Sequence, residues 1–326
     1  MKKRLLSLLP LIAKVSIVLL TFWFIYRELT LPGAAAKWNS LVSTIARNGG
    51  LISFSIVVGL MIINWAIETW KWMLLCRKIE HISYRTAVCS LLAGLNLAIF
   101  TPGRIGEYGG RVMYLAPANR SRGSIAMLVG ALSQMLVTLV CGITGMVFFV
   151  HKYLALSDML FMLLIAGAIV VNIFLVLFYF HVRWFNTLLL AFPFLKRFEH
   201  SLEVLRLYSA RELLQVVSLS LFRYLVFSHQ YYVLLLVLNG NAPYLMSMAA
   251  ISLILLIQSV LPSFALADLG IRGAAAAFFL GTVLGPASAI AILASAFGVW
   301  LINIIFPAVI GLYFVLKLNF SVVRTP

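Results

Sequence analysis

The chain has 326 residues, of which 63% are hydrophobic and only 10% are charged, and its mean hydropathy is +1.07. Soluble globular domains carry about a quarter of charged residues, so these values exclude that class and indicate a polytopic membrane protein. The net charge of +16 favours nucleic acid only in a soluble chain. Here the basic residues follow the membrane topology derived below, and no nucleic acid partner is predicted.

Six apolar segments are long enough to cross a hydrocarbon core of about 30 Å, which takes about 20 residues. They are Leu8–Tyr26, Leu51–Leu75, Ser124–Val150, Met159–Phe180, Leu213–Leu238 and Ala287–Leu316. Two shorter segments, Ala87–Phe100 and Tyr244–Leu261, run into Pro102 and Pro262, and glycine and charge follow each proline. The predicted fold class is therefore all-α and polytopic, with about six full transmembrane helices plus two re-entrant helical hairpins.

The Lys and Arg residues of the loops predict the orientation, because cytoplasmic loops are enriched in them. Basic residues follow Met1, precede the segment that begins at Leu213, and follow the last span at Lys317. We therefore expect a multi-pass protein of the cytoplasmic membrane with both termini in the cytoplasm. If both broken segments were full crossings, the chain would cross eight times, and the basic loop after Arg111 would lie outside, against this rule.

The two halves of the chain have similar segment orders. The stretch from Leu51 to Pro102 is nearly as long as that from Leu213 to Pro262, and the corresponding spans run in opposite directions. Inverted repeats of this kind occur in transporters whose site lies near the midplane. The sequence predicts a single membrane domain over residues 1–326, with one repeat in 1–155 and an inverted one in 156–326.

An amphipathic helix is predicted over residues 195–212, between the two repeats. Leu195, Phe198, Leu202 and Leu205 recur at helical spacing, and charged residues lie between them. The helix is expected at the cytoplasmic surface, either as a packed linker or in contact with anionic lipid.

Ionisable residues inside the predicted membrane segments are few and are spaced for pairing. Each costs about 2.5–3.5 kcal/mol in hydrocarbon and usually faces a cavity or a partner. Residues three or four apart share a helical face, which predicts three pairs: Glu68 with Lys71, Arg104 with Glu107, and Asp268 with Arg272. Such pairs either meet a substrate or only hold helices together. The candidate substrate-binding residues are Arg104, Glu107, Arg111, Asp268, Arg272, Glu68 and Lys71.

Proline and glycine predict two turns at membrane depth. The candidate turn residues are Pro102, Gly103, Gly106, Pro262 and Gly270. Backbone groups freed at such turns are tolerated only in a protein-lined or wet cavity. A helix that begins after Pro102 would direct its N-terminal amides, together with Arg104, at an anion such as phosphate.

The stretch Pro102-Gly103-Arg104-Ile105-Gly106-Glu107, followed by Arg111, resembles the signature of the flippase-like family named for the transmembrane region of lysylphosphatidylglycerol synthase. Leu261-Pro262 and Gly270-Ile271-Arg272 resemble that family's second turn, and the order of segments fits over nearly the whole chain. The resemblance implies lipid translocation. It does not imply lipid synthesis, because no segment here resembles the cytosolic aminoacyl-transferring domain.

The leading hypothesis is a flippase or transporter of an anionic or zwitterionic lipid, including aminoacylated or polyprenyl-linked lipids. A membrane phospholipid or lipid-linked substrate is the expected partner, and a lipid-modifying enzyme is a further candidate. Two alternatives stay open: a membrane-embedded enzyme or accessory of polyprenyl-phosphate glycosylation, and a proton-coupled carrier of a small solute. No catalytic motif is found in the sequence, so no enzyme activity, metal or cofactor is predicted.

Overall fold

A computed structural model of the chain describes residues 50–181, 199–239, 241–261 and 265–317, together with Asn39 and Ser43. Within these ranges the protein is α-helical, with short 3₁₀ and π segments and no β-strand. The predicted first span, Leu8–Tyr26, and the turn residue Pro262 lie outside the described residues. So does the side chain of Asp268, although its backbone is helical.

The described helices fall into a first group, a short linker and a second group. The first group is α1 Gly50–Cys76, α2 Tyr84–Ala98, α3 Ile105–Val112, α4 Arg120–Tyr153 and α5 Asp158–Phe180. The linker holds α6 Glu199–Leu202 and α7 Val204–Leu207. The second group is α8 Ala210–Asn239, α9 Tyr244–Val260, α10 Ala265–Leu284, α11 Ala289–Trp300 and α12 Phe306–Leu316, and the π-helix Leu301–Ile305 joins the last two.

Five described helical segments are long and apolar enough to cross a membrane. They are Ile52–Cys76, Pro117–Tyr153, Asp158–Phe180, Ala210–Leu238 and Pro286–Leu316. Each coincides with a predicted span to within a few residues, because a long apolar run is a local property of the sequence. The protein is therefore a multi-pass membrane protein.

The first hairpin consists of α2 and α3, which pack against each other in antiparallel directions. Their lengths of 15 and 8 residues give about 22 Å and 12 Å at 1.5 Å per residue, so neither helix crosses a 30 Å core alone. A Cβ atom on Gly106 would collide with the carbonyl oxygen of Leu97, and one on Gly110 would collide with the backbone of Gly94. Glycine at these positions lets the two backbones touch.

The second hairpin consists of α9 and α10, which also pack against each other. Its first arm ends at Val260, close to the predicted end at Leu261. The second arm is longer than the predicted half-span, because the helix resumes at Ala265 and continues for 20 residues. Gly270 therefore lies inside α10 rather than in a turn. Its backbone has no left-handed conformation, and a Cβ atom there would meet nothing within 4 Å.

Three antiparallel helix pairs join the two groups. Helix α1 packs along α8, where Gln230 Nε2 donates a hydrogen bond to the Val57 carbonyl oxygen at 2.9 Å. Helix α2 packs along α12, and α9 packs along α4. Each first arm of a hairpin thus lies on a long helical segment of the other group. Helix α5 is peripheral, because it packs on α4 and Tyr179 is its one buried residue.

The linker is not the single amphipathic helix predicted over 195–212. Residues 195–198 lie outside the described part, and the remainder is divided into α6, α7 and the start of α8. Helix α7 ends at Leu207, and Tyr208 is extended. The apolar side chains of Leu202, Leu205 and Tyr208 are buried in the protein core, and the Tyr208 hydroxyl donates to the Leu75 carbonyl oxygen at 2.8 Å. Of the two open interpretations, the packed linker agrees with this burial.

Candidate functional site

Glu68, on α1, is a buried carboxylate that is surrounded by three cations. Its carboxylate lies 2.8 Å from Lys71 Nζ, 2.9 Å from Arg111 Nη1 and 3.1 Å from Arg223 Nη1. These partners come from α1, α3 and α8, so one carboxylate joins the first hairpin to the paired long helices. Because buried charges are stable only when paired, each member depends on the others.

A second carboxylate, Glu107, extends the cluster to the tip of the first hairpin. It accepts from Arg111 Nη2, and its other oxygen lies 3.0 Å from Arg104 Nη2. Arg111 therefore bridges Glu68 and Glu107. The predicted pairs of Glu68 with Lys71 and of Arg104 with Glu107 are both present, and the two belong to one network.

Aromatic rings and hydroxyls complete the surroundings of the cations. The Arg223 guanidinium lies 5.2 Å from the centre of the Trp65 ring, and Arg111 lies 6.0 Å from that of Trp72. Cation–π contacts of this kind offset part of the cost of removing an arginine from water. Lys71 Nζ also donates to Ser220 Oγ at 3.3 Å.

Among the side chains that the structure describes, the cluster carries an excess of positive charge. Glu68 and Glu107 supply two negative charges, whereas Lys71, Arg104, Arg111 and Arg223 supply four positive ones, which leaves two in excess. An unbalanced charge in a low-dielectric interior is costly. An anionic ligand beside the cluster would lower this cost.

The turn that carries Arg104 has an unusual backbone. Gly103 and Arg104 have φ values of 58° and 59°, in the left-handed region. This conformation suits glycine, but for an arginine it costs about 1–2 kcal/mol. The Thr101 hydroxyl accepts a hydrogen bond from the Gly106 N–H at 2.7 Å, in the first turn of α3. Strained backbone conformations of this kind are frequent at functional sites. Here the strained residue is the half-exposed arginine at the tip of the first hairpin.

Two adjoining cavities lie between the groups of helices. The first, of about 240 Å³, has Arg104, Arg223 and Arg272 in its wall and is called the arginine cavity below. The second, of about 280 Å³, is lined by Glu68, Lys71, Glu107 and Arg111 and is called the ion-pair cavity. Gln134, Thr138, Arg223 and Ser259 belong to both walls.

The structure brings six of the seven candidate binding residues to these two cavities. Arg104 and Arg272, from opposite hairpins, share the arginine cavity, and the other four described residues line the ion-pair cavity. The seventh, Asp268, has its side chain outside the described part, so its predicted pairing with Arg272 stays a prediction. Among the turn residues, Pro102 and Gly103 lie in the 3₁₀ turn, whereas Gly106 lies inside α3.

Sequence reasoning missed the central position of Arg223. Its guanidinium contacts Glu68 and donates to Gln134 Oε1 at 3.3 Å, so it lies where the two cavities meet. The available signal was a lone arginine within an apolar span, which usually faces a partner or a cavity. The polar cavity residues Asn64 and Asn303 gave no such signal, because neither is charged.

Comparison with known protein families gives one match. The model of the lysylphosphatidylglycerol synthase TM region matches residues 11–311. The chain belongs to this family. No curated protein and no solved structure matches the chain. The match of the lysylphosphatidylglycerol synthase TM region includes both hairpins and every described residue of the charged cluster.

Proposed function

We propose that this protein is a transporter that moves a phospholipid between the leaflets of the cytoplasmic membrane, and that the arginine cavity receives the lipid phosphate. The observation that carries the proposal is the convergence of Arg104, Arg223 and Arg272 on one cavity beside a cluster with excess positive charge. These residues come from the first hairpin, α8 and the second hairpin. Membership of a membrane family associated with lipid chemistry supports a lipid as the ligand.

The arginine side chains suit a phosphodiester. A guanidinium presents parallel N–H donors that match two phosphate oxygens, and its charge does not depend on pH. Arg104 and Arg223 each contact one carboxylate, Glu107 and Glu68 respectively. A phosphate that enters the cavity would compete with these carboxylates for the same guanidinium groups. Binding would therefore rearrange contacts that hold the first hairpin to α1 and α8.

We also propose that the two groups of helices form an inverted repeat. Helices α1 and α8 would correspond, and the contacts of Val57 with Gln230 and of Lys71 with Ser220 place them antiparallel. The contact of α2 with α12 would correspond to that of α9 with α4.

Two glycines support this correspondence. A Cβ atom on Gly311 of α12 would collide with the Leu92 carbonyl oxygen, and one on Gly145 of α4 would collide with the Ser252 hydroxyl. Leu92 and Ser252 precede Pro102 and Pro262 by the same number of residues. Equivalent close contacts at equivalent positions are expected if one packing arrangement is used twice.

In this arrangement α2 and α3 would enter the membrane from the cytoplasm, and the second hairpin would approach from the outside. Transporters with inverted repeats bind the substrate between the repeats and expose it to each side in turn. The arginine cavity has this location between the groups. The proposal is transport rather than catalysis, with a lipid-modifying enzyme as a candidate partner that supplies the substrate.

Transport by purified protein in vesicles tests the proposal. Phosphatidylglycerol with a fluorescent label on an acyl chain is incorporated into both leaflets. A quencher added outside removes the fluorescence of the outer leaflet, and the rate of further loss reports the movement of lipid from the inner leaflet. We expect Arg104→Ala and Arg223→Ala each to lower the initial rate about tenfold or more, because each removes a charged hydrogen-bond donor. The control is Arg85→Ala, since Arg85 is exposed and lines neither cavity. Parental rates in both cavity variants would overturn the proposal.

A further inference from the structure

A third cavity lies at the surface of the protein, where α1 ends and α2 begins. It has a volume of about 520 Å³ and is called the α1 groove below. Its residues from α1 recur at helical spacing, and the others come from the following loop and from the first residue of α2. Six of the lining residues are Trp70, Met73, Leu74, Arg77, His81 and Tyr84.

The α1 groove and the ion-pair cavity lie on different faces of α1. Trp72 and Leu75 line the ion-pair cavity and are 1% and 2% exposed, whereas Trp70 is 67% exposed. Tyr84, on the other side of the groove, is 51% exposed. On a helix that spans a membrane, an exposed indole near the end of the helix contacts lipid at the interface. The groove is therefore open to the bilayer and not to the interior of the protein.

Helical spacing sets the depth of the residues along the groove. The Arg77 N–H donates to the Met73 carbonyl oxygen at 3.0 Å, so the helical rise continues to Arg77. Trp70 precedes Arg77 by seven residues, which correspond to about 10 Å. The apolar span ends at Cys76, so Arg77 lies at the level of the lipid headgroups. Trp70 and Met73 lie deeper, beside the glycerol and the upper acyl chains. The groove thus has a basic end and an apolar end, as a phospholipid has.

The basic end of the groove suits a phosphate. Among the residues that the structure describes, no carboxylate lines the groove, and none lies within ion-pair distance of Arg77 or His81. Both side chains are exposed. A guanidinium presents parallel N–H donors to two phosphate oxygens, and a histidine ring donates from at least one nitrogen in either protonation state.

The charges next to the groove leave this end positive. Lys78 contacts Glu212 at 2.9 Å, and the Glu80 carboxylate accepts from Asn119 Nδ2 at 3.0 Å. Arg85 is exposed and does not line the groove. Counted with Arg77, these described groups comprise three cations and two carboxylates, so one positive charge is in excess before His81 is counted.

A headgroup that carries an ammonium gains less from this arrangement than an anionic one. An ammonium is attracted to a carboxylate or to the face of an aromatic ring. The described wall of the groove has no carboxylate, and Trp70 lies about 10 Å below the level of Arg77. Of the two, an anionic headgroup therefore fits the groove better.

We infer that the α1 groove is a binding site for an anionic phospholipid of the leaflet at this end of α1. The phosphate lies beside Arg77 and His81, and an acyl chain lies along Trp70 and Leu74. In the predicted orientation this is the cytoplasmic leaflet. The site is separate from the proposed transport site, since the groove shares no lining residue with the arginine cavity or the ion-pair cavity.

Quenching of Trp70 fluorescence by brominated lipid tests the inference. The protein is reconstituted in vesicles of equal parts phosphatidylglycerol and phosphatidylcholine, and only one of the two lipids is brominated in each sample, so the surface charge is constant. The difference between the parent and Trp70→Phe isolates the Trp70 signal from that of the other tryptophans. We expect phosphatidylglycerol to be preferred about fivefold at Trp70, the effect of one basic residue near the membrane surface. Equal quenching, stronger quenching by phosphatidylcholine, or no quenching of Trp70 would overturn the inference.

Variants of Arg77 assign the preference to the groove. Arg77→Gln should abolish the preference for phosphatidylglycerol, whereas Arg77→Lys should keep most of it, because an ammonium also attracts phosphate. The matched control is Arg211→Gln, which removes the same charge from an exposed residue that lines none of the three cavities. Arg211 lies at the same end of the protein, since its neighbour Glu212 contacts Lys78.

The control also distinguishes a site from general attraction to the surface. A preference that survives in Arg77→Gln, or that is lost equally in Arg211→Gln, would contradict the inference. Because quenching requires no movement of lipid between leaflets, failure of the transport proposal leaves this measurement unaffected, and failure of the groove leaves the transport proposal unaffected.

Discussion

The two hairpins have the same order of elements but are stabilised differently. The first has short arms whose backbones touch at Gly94, Gly106 and Gly110, and its tip holds Gly103 and Arg104 in left-handed conformations. The second has arms of 17 and 20 residues.

The glycines of the second hairpin do not bring its helices together. A Cβ atom on Gly270 or Gly281 meets nothing within 4 Å, and one on Gly273 makes only an ordinary contact with Leu293. The comparison indicates that the first hairpin is the more closely packed and more highly charged part of the site, and that the second contributes Arg272.

The largest expected effect comes from removing the carboxylate that fastens the first hairpin. Glu68→Gln leaves Lys71, Arg111 and Arg223 without their shared anion. Breaking a buried ion pair in this way costs about 3–5 kcal/mol. Unfolding in mixed micelles measures the loss, with Glu199→Gln as the control because Glu199 is exposed.

A double-mutant cycle sharpens this prediction. Adding Arg223→Gln to Glu68→Gln should recover part of the lost stability, because one uncompensated cation is removed. If the two effects simply add, the cluster does not act as a unit.

The next effect tests the close backbone contact. Gly106→Ala in the first hairpin should destabilise by about 1–3 kcal/mol, because the new methyl group meets the Leu97 carbonyl oxygen rather than a movable side chain. Gly270→Ala in the second hairpin should be neutral or stabilising by up to about 1 kcal/mol, because alanine is the better helix former and the space is open. The same unfolding assay compares them, and equal effects would remove the proposed difference between the hairpins.

The smallest effect concerns the strained tip. Both Arg104→Gly and Arg104→Ala lose the contact with Glu107, so their difference reports the backbone alone. We expect Arg104→Gly to be more stable by about 1 kcal/mol, because glycine adopts a φ of 59° without the steric cost. At Leu261, where φ is −88°, the order should be reversed, and alanine should be the more stable replacement. Although Arg104→Gly should be the more stable variant, it should transport lipid no faster than Arg104→Ala, because both lack the guanidinium.

Much of the helical architecture was predictable because it depends on local properties. The spans beginning near Leu51, Ser124, Met159, Leu213 and Ala287 follow from apolar length. Pro102 correctly marked a break between two short helices. The prediction of one continuous helix over 195–212 was wrong, because apolar residues at helical spacing do not show where a helix ends. The prediction of a turn at Gly270 was also wrong, because glycine occurs inside helices and not only in turns.

The candidate site was predictable only where charge spacing is local. Glu68 with Lys71, and Arg104 with Glu107, share a helical face and pair as their spacing predicts. Their substrate-binding role stays a prediction. Arg223 and Asn303 reach the cavities from α8 and from the π-helix, and nothing near them in the chain indicates their partners.

The sequence by itself determined a multi-pass helical membrane protein, the places where its helices break, and the short-range ion pairs, because hydrophobic length, proline and helical periodicity act over a few residues. Only the tertiary structure decided that Glu68 joins cations from three helices and that two hairpins contribute arginines to one cavity. These features depend on which helices pack together, and that choice is made by contacts between residues far apart in the chain.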